Sequence, residues 1–426
     1  MRNIHVNLLC ALALCANASV YTVDDLIAIA LKSSPDINVS RLDVDISQER
    51  VNAAKSYRLP SLNADLGVGY GGAKLKGESF DNATVLSGTL SASQLLYDFG
   101  KTSGAIDGAI SDVNASSAQL KQAISDKIFE VKNGYYKLLQ NRSLLRVNYE
   151  NIELNEQQLY RSKRYFEAGI RTKIDITDAN VRLIEAQLAL QDNGYAIKLD
   201  RINLEKIIGL SYSKKLGKVY EKELNYANLY ETLPTVSLTL EDAEAFAYEH
   251  RNELKSYAYA IETAKAYLHN SNADYYPGIY ATGEYFAQQV QDRQLYTPQQ
   301  QYSATVNAKW NLFSGYETDA KVQEAKIALL RSKSLYENSK LSIKQEVGEA
   351  YIYLFKNRDA VKLSQSLSIA AKEKHIQAQK RYEHGLSDYI ELQQARQNYI
   401  DSLASLVRTY YDYYRALAAL DRAMGR

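Results

Sequence analysis

Two periodicities alternate along this chain, one of seven residues and one of two. From Ile110, every seventh position reads Ile110, Ser117, Ile124, Val131, Leu138, Leu145, Ile152 and Leu159, and all but Ser117 are apolar. A strict seven-residue stripe keeps one face of a helix against a partner and winds the pair into a left-handed supercoil. No proline interrupts it. The stripe predicts one helix over residues 102–168, a rod about 100 Å long at ~1.5 Å per residue. Gly169 permits the positive φ that ends a helix. Thr172 is suited to cap the helix that returns, Asp175 lies in its first turn, and Gly209 ends it.

The same pattern occurs a second time. The shift that carries Gly169 onto Gly385 also carries Ile170 onto Leu386, Ile174 onto Ile390, Asp175 onto Glu391, Ala179 onto Ala395 and Gly209 onto Gly425. Two heptad rows precede the second turn, one through Leu329, Tyr336, Ile343 and Ala350 and one through Val347, Leu354 and Val361. An internal duplication is settled before any fold is assigned.

Ahead of each long helix the period falls to two. Leu62, Ala64, Leu66, Val68 and Tyr70 alternate with Asn63, Asp65, Gly67 and Gly69. Leu86, Gly88, Leu90 and Ala92 alternate with Ser87, Thr89, Ser91 and Ser93. The second half repeats this, with Tyr302, Ala304, Val306, Ala308 and Trp310 set against Ser303, Thr305, Asn307, Lys309 and Asn311. These patterns predict strands over 61–70, 84–96, 278–287 and 301–312, joined by polar loops over 71–83 and 287–301. Each is about as long as a tilted strand that crosses a bilayer, although a soluble hairpin alternates in the same way. Helices over 22–32 and 36–57 come before Pro60, and a single helix over 239–274 comes before Pro277.

The chain therefore divides into a secretory signal over 1–18, a first repeat over 19–210, an inter-repeat segment over 211–238 and a second repeat over 239–426. The signal has a weakly basic start at Arg2 and His5, an apolar stretch, and an Ala16-Asn17-Ala18 cleavage pattern. Cys10 and Cys15, the two cysteines of the chain, both fall inside it. Lipid anchoring through Cys15 is the rival reading, opposed by the bulk of Leu14. Lys and Arg number 51 against 50 Asp and Glu, which argues against a nucleic-acid binder. No run of about 18 apolar residues supplies a membrane-spanning helix. His5, His250, His269, His375 and His384 are scattered. With no metal-binding or phosphate-binding motif, the sequence predicts no enzyme and no cofactor.

This doubled order of helix, strand, loop, strand, long helix, glycine turn and returning helix resembles the TolC-type outer-membrane efflux family. The turn from strand into long helix carries similar signatures in Leu95-Leu96-Tyr97-Asp98-Phe99-Gly100 and Asn311-Leu312-Phe313-Ser314-Gly315. The second turn carries them in Arg164-Tyr165-Phe166-Glu167-Ala168-Gly169 and Arg381-Tyr382-Glu383-His384-Gly385. The resemblance implies a mainly α protein with transmembrane β-structure. It would be a coiled-coil α-helical barrel in the periplasm with a β-barrel of four strands per protomer in the outer membrane of a Gram-negative cell. Four strands cannot close a barrel, so three copies pool twelve. The implied function is the exit duct of a tripartite efflux or type I secretion system, passive towards its substrates. The implied partners are outer-membrane lipid, a periplasmic adaptor protein and an inner-membrane transporter. A structural coiled-coil surface protein or a periplasmic adaptor is the alternative, and it leaves the paired strands unexplained.

Two sets of residues at the turns follow. Asp175, Asp178, Asp388, Glu391 and Arg171 are candidates for a periplasmic gate. Gly169, Ile170, Ile174, Gly385, Leu386 and Ile390 are candidates for docking an adaptor. The bland reading of the acids is that carboxylates favour helix N-termini. The sequence departs from the family pattern at Gln394, where a second carboxylate is expected, and at Ser387, where an arginine is expected.

Overall fold

The computed structural model describes residues 20–73, 81–211, 215–291 and 296–426. The signal over 1–18, with both cysteines, lies outside these residues, as does most of the loop expected over 71–83. In chain order the elements are β1 (Val20–Tyr21), α1 (Val23–Ser33), α2 (Pro35–Ser56), β2 (Ser61–Ala73), β3 (Asp81–Tyr97), α3 (Lys101–Glu167), α4 (Lys173–Ile207) and β4 (Lys218–Val219). They continue with α5 (Leu240–His250), α6 (Asn252–Asn272), β5 (Gly278–Gln291), β6 (Tyr296–Lys309), α7 (Glu317–Glu383) and α8 (Tyr389–Met424). Two compact units arise. One contains Ala123–His250, Ile343–Arg426 and the chain up to Asn38, and the other contains Val39–Gln122 and Arg251–Ser342.

In the second unit β2, β3, β5 and β6 form one antiparallel sheet in that order. Pairing in register puts directly opposed residues on one face. Leu62, Leu66, Val68, Tyr70, Leu86, Leu90, Tyr285, Tyr302, Ala304 and Val306 share one face by this register. Asn63, Asp65, Ser87, Thr89, Ser91, Glu284, Thr305 and Asn307 share the other. On that polar face Thr282 and Thr305 are joined through their hydroxyls at 2.8 Å, and Asn307 donates to Thr282 at 2.9 Å. The apolar face is uncovered, and Leu66 is 88% exposed.

The strands are longer than the alternation predicts. β2 runs on to Ala73, β3 starts at Asp81, β5 reaches Gln291, and β6 starts at Tyr296 and ends at Lys309 instead of reaching residue 312. Loop-like composition hid this, because Gly71, Gly72 and the Gln run 299–301 are paired in the ladder by backbone alone. Pro298 also lies within β6, where an edge strand tolerates its missing N–H. The helix expected over 239–274 is two helices, broken between His250 and Asn252.

Each long helix leaves its strand through residues in the left-handed region. Phe99 and Gly100 take φ of 53° and 99°, and Gly315 and Tyr316 take 64° and 69°. Asp98 caps the first of these corners, accepting from the Thr102 N–H at 2.7 Å. α3 and α6 then approach closely at Gly104. A Cβ there would lie 2.8 Å from the Asn270 backbone nitrogen and 2.9 Å from the Ala266 carbonyl oxygen. One turn on, a Cβ at Gly108 would meet only the Ala266 Cβ, at 3.6 Å.

In the first unit, residues 215–238 are fastened to the long helices by polar groups at many points. β1 pairs with β4 in parallel. The Tyr135 hydroxyl on α3 donates to the Tyr220 carbonyl at 2.9 Å, and burial pushes its pKa up to about 12. Tyr413 on α8 donates to the Pro234 carbonyl, and the Gln365 side chain on α7 accepts from the Tyr230 N–H at 2.8 Å. Arg142 and Arg146 both reach Glu221. Such uses account for part of the abundance of tyrosine, which brings a large apolar ring and a hydroxyl to the same place.

The heptad rows divide differently on the two long helices. On α7, Ile343, Val347, Ala350, Leu354 and Val361 are buried as the rows predict, while Leu329 and Tyr336 at the start of the first row are only half-buried. On α3 only Val131 and Leu138 of the predicted row are buried, and Ile110 is exposed. Toward the turn the buried seam of α3 moves to Ser143, Val147, Asn155, Gln158 and Ser162.

The Gly104 contact gives a paired test. Gly104→Ala should destabilise by about 1–3 kcal/mol, because backbone atoms cannot yield to the new methyl. Gly108→Ala should be neutral or stabilising by up to about 1 kcal/mol, because alanine is the better helix former and meets only ordinary contact. Thermal unfolding of the detergent-purified protein measures both, and a Gly104→Ala variant as stable as the parent would refute the close approach.

Candidate functional site

Both helical hairpins turn through the same backbone motif. Gly169 and Gly385 have φ of 73° and 71°. In the first turn the Gly169 N–H donates to the Phe166 carbonyl at 2.9 Å and the Ile170 N–H to the Tyr165 carbonyl at 2.9 Å. In the second the Gly385 N–H donates to Tyr382 at 3.1 Å and the Leu386 N–H to Arg381 at 2.8 Å. This paired bonding closes a helix C-terminus around a left-handed residue. Ile170, Ile174, Leu386 and Ile390 project from the turns and are 65–71% exposed. Four large aliphatic side chains therefore sit in solvent where the turn itself needs none of them.

Behind the turns is a small aromatic core. Ala378, Tyr382, Tyr389, Leu392 and Ala395 are buried together, with Tyr165 packed against them. The Tyr165 and Tyr382 rings meet edge-on at 6.2 Å. Arg171 lies over the Tyr382 ring at 5.1 Å, a cation–π contact between the two turns. Burial pushes the Tyr382 pKa up, Arg171 opposes this, and Asp175 adds to it.

The acidic candidates have local partners. Asp175 accepts from the Thr172 N–H at 3.1 Å and from its hydroxyl at 3.4 Å. Asp388 caps α8, accepting from the Glu391 N–H at 2.8 Å. Glu391 is paired with Arg381 at 2.7 Å. Asp178 lines an open cavity with Val181, Arg182, Tyr389 and Gln393. The fold thus gathers all five gate candidates at the two turns, with Asp175 and Asp388 both engaged as helix caps. Among the described residues no cluster of His, Cys, Asp and Glu could hold a metal ion.

Several groups beside the turns escaped sequence reasoning. Arg161 on α3 is paired with Glu383 on α7 at 2.9 Å. Arg396 and His375, 4% and 6% exposed, lie inside the helical bundle. Their signal was present in the spacing. Arg396 occupies a seam position in the series Tyr389, Leu392, Tyr399, Leu403, and His375 continues the row Val347, Leu354, Val361. A polar residue at an otherwise apolar heptad position carries a specific role more often than a scattered one does.

His375 stacks on Tyr399 of α8, rings 5.8 Å apart and 3° from parallel. The Tyr399 hydroxyl donates to Glu150 of α3 at 2.7 Å. Burial lowers the His375 pKa, and Arg396 and Arg161 lower it further. The folded chain therefore holds this imidazole neutral under conditions where the unfolded chain protonates it. Its contribution to stability is complete above a pH of about 6.5, the ordinary value. It is lost as pH falls below that, by up to about 1.4 kcal/mol per pH unit. The thermal midpoint of His375→Gln should fall less than that of the parent between about pH 7.5 and pH 5, and equal falls would refute the neutral, buried imidazole.

The comparisons with known proteins agree with this geometry. The family model described as outer membrane efflux protein matches residues 26–210 and again 246–426. The chain is 23% identical over 206 residues to outer membrane protein TolC of Salmonella enteritidis, an alignment spanning 44% of this chain and 42% of that protein. It is 21% identical over 405 residues to TolC of Vibrio cholerae, spanning 93% and 89%. Its fold superposes on the outer-membrane channel OprN with a TM-score of 0.82 at 17% identity, covering 95% of this chain and 89% of that one. Two successive matches to one family model, across the two strand–helix repeats described above, show that this chain belongs to the outer membrane efflux protein family.

Proposed function

We propose that this chain is the outer-membrane exit duct of a tripartite efflux or type I secretion system and that it works as a homotrimer. The observation that carries this reading is the four-stranded sheet with one largely apolar, uncovered face and with β2 and β6 at its edges. Lipid satisfies no backbone hydrogen bond, so such edges must be paired. A second copy supplies the missing strand, and three copies make a barrel of twelve.

The helices support the same assembly. On α4, Ile174, Val181, Leu188, Tyr195 and Ile202 recur at seven-residue spacing, and all are exposed in the single chain. Along α7 and α8 runs a groove of about 470 Å³, lined by Leu367, Ala370, Ala371, Ser402 and Ser405 with Lys374, Asn398 and Asp401 beside them. Knobs at heptad spacing on one copy and a groove floored by small residues on the next are the two halves of a coiled-coil contact. The exposed aliphatic turns are left for a periplasmic adaptor, which hands on substrates from an inner-membrane transporter.

The duct reading is tested at the turns. Gly169→Asp and Gly385→Pro should leave trimers of unchanged mass in detergent and abolish export. Export surviving both changes would remove the turns as the docking site. A stable folded monomer of the parent protein would remove the duct itself.

Gating is tested at the carboxylates. Copies of Glu391 and Asp175 brought around one axis repel each other and attract cations, whereas a capping carboxylate contributes only about 0.3–1 kcal/mol. In planar bilayers Glu391→Gln should alter conductance or weaken block by multivalent cations. Channels unchanged in both Glu391→Gln and Asp175→Asn would leave these acids as caps and as a partner of Arg381.

A further inference from the structure

Arg396 of α8 is buried against α3 and α4, and the side chains that accept its hydrogen bonds are neutral. Nη1 donates to Asn155 Oδ1 and Nη2 to Gln158 Oε1, each at 3.2 Å. Nε has no partner among the described residues. The two amides are held oxygen-first toward the guanidinium. Asn155 gives its N–H groups to the Asn151 carbonyl and side chain, and Gln158 gives one to Ser162. Burial lowers the Arg396 pKa; Tyr389 opposes this, the nearby cation Arg161 adds to it, and Tyr382 opposes it slightly. Yet arginine does not deprotonate in proteins. It cannot escape desolvation as His375 does, and it needs a counter-charge.

Next to it is an open polar cavity of about 250 Å³, walled by Asn151, Arg182, Glu185, Gln393 and Gln397 around Arg396 itself. Arg182 and Glu185 are already paired at 2.8 Å. The charge left over in the cavity is therefore the single positive charge of Arg396. A dianion would overshoot it and face Glu185, and a neutral solute would leave it uncompensated.

We propose that this cavity binds one small monovalent anion of the halide class, which neutralises Arg396 and fastens α8 to α3 and α4 close to the turns. The site is built by one chain and stands or falls apart from the duct reading, because its test is binding.

The probe is bromide on the intact, detergent-purified protein. Crystals grown with bromide in place of chloride should show an anomalous peak in the cavity within hydrogen-bond reach of the Arg396 guanidinium. In solution the thermal midpoint should rise saturably when chloride replaces gluconate at constant ionic strength. Arg396→Gln should lose that response and be no less stable than the parent in gluconate. An empty cavity, a carboxylate of a second copy in the bromide position, or an undiminished chloride response in Arg396→Gln would each overturn the proposal. If Arg396→Gln does not fold, the anomalous map of the parent decides alone.

Discussion

An unpaired strand edge in lipid is the constraint on which the rest of this molecule depends. Water satisfies the backbone groups of an edge strand in a soluble protein, and hydrocarbon cannot. The sheet here has an apolar face that suits lipid and a Thr, Ser and Asn face that suits water, so it is fit for a boundary between the two. It has only four strands, fewer than the about eight that close a barrel. On the proposed pairing between copies each sheet edge is satisfied by a neighbour, and α3 and α7 leave the sheet through the left-handed corners at Phe99–Gly100 and Gly315–Tyr316.

Much of this was legible in the residues. The heptads, the alternation and the two glycine turns each reflect a rigid geometric period, and periods survive in sequence. The duplicated register makes each reading count twice, which is why Gly169 and Gly385 are legible as helix ends from the sequence alone. The ends of the strands were not legible. Gly71, Gly72, Pro298 and the Gln run 299–301 have the composition of loops, and their pairing comes from the neighbouring strand. The break between α5 and α6 is not legible either, since His250, Arg251 and Asn252 are not strong helix breakers, yet Arg251 takes an extended ψ of 117°.

The site was legible in its place and illegible in its chemistry. Asp175, Asp178, Asp388, Glu391 and Arg171 do gather at the turns. Which of them are caps, and that Arg381 rather than a neighbouring acid engages Glu391, depends on side-chain reach, which spacing does not encode. The α3 stripe shows the same limit. Leu145, Ile152 and Leu159 continue it faithfully, yet the buried seam beside them runs through Ser143, Asn155, Gln158 and Ser162. A helix with neighbours on more than one side has more than one seam, and the most apolar row need not be the one buried inside its own chain.

That displaced seam has an energetic consequence. Apolar burial contributes roughly 25 cal/mol per Å², whereas hydrogen bonds exchanged with water contribute about 1 kcal/mol each. Far from the turns the bundle is closed by Ile343, Val347, Leu354, Leu403, Leu406 and Val407. Near them the polar Asn155, Gln158, Ser368, His375 and Arg396 are buried beside the aromatic core of Tyr382, Tyr389 and Leu392. The hairpin ends are therefore held by apolar burial together with bonds that can be exchanged for others or for water. Local opening begins where apolar contact is sparsest. The exchangeable part of the seam thus lies close to the turns from which Ile170, Ile174, Leu386 and Ile390 project into solvent.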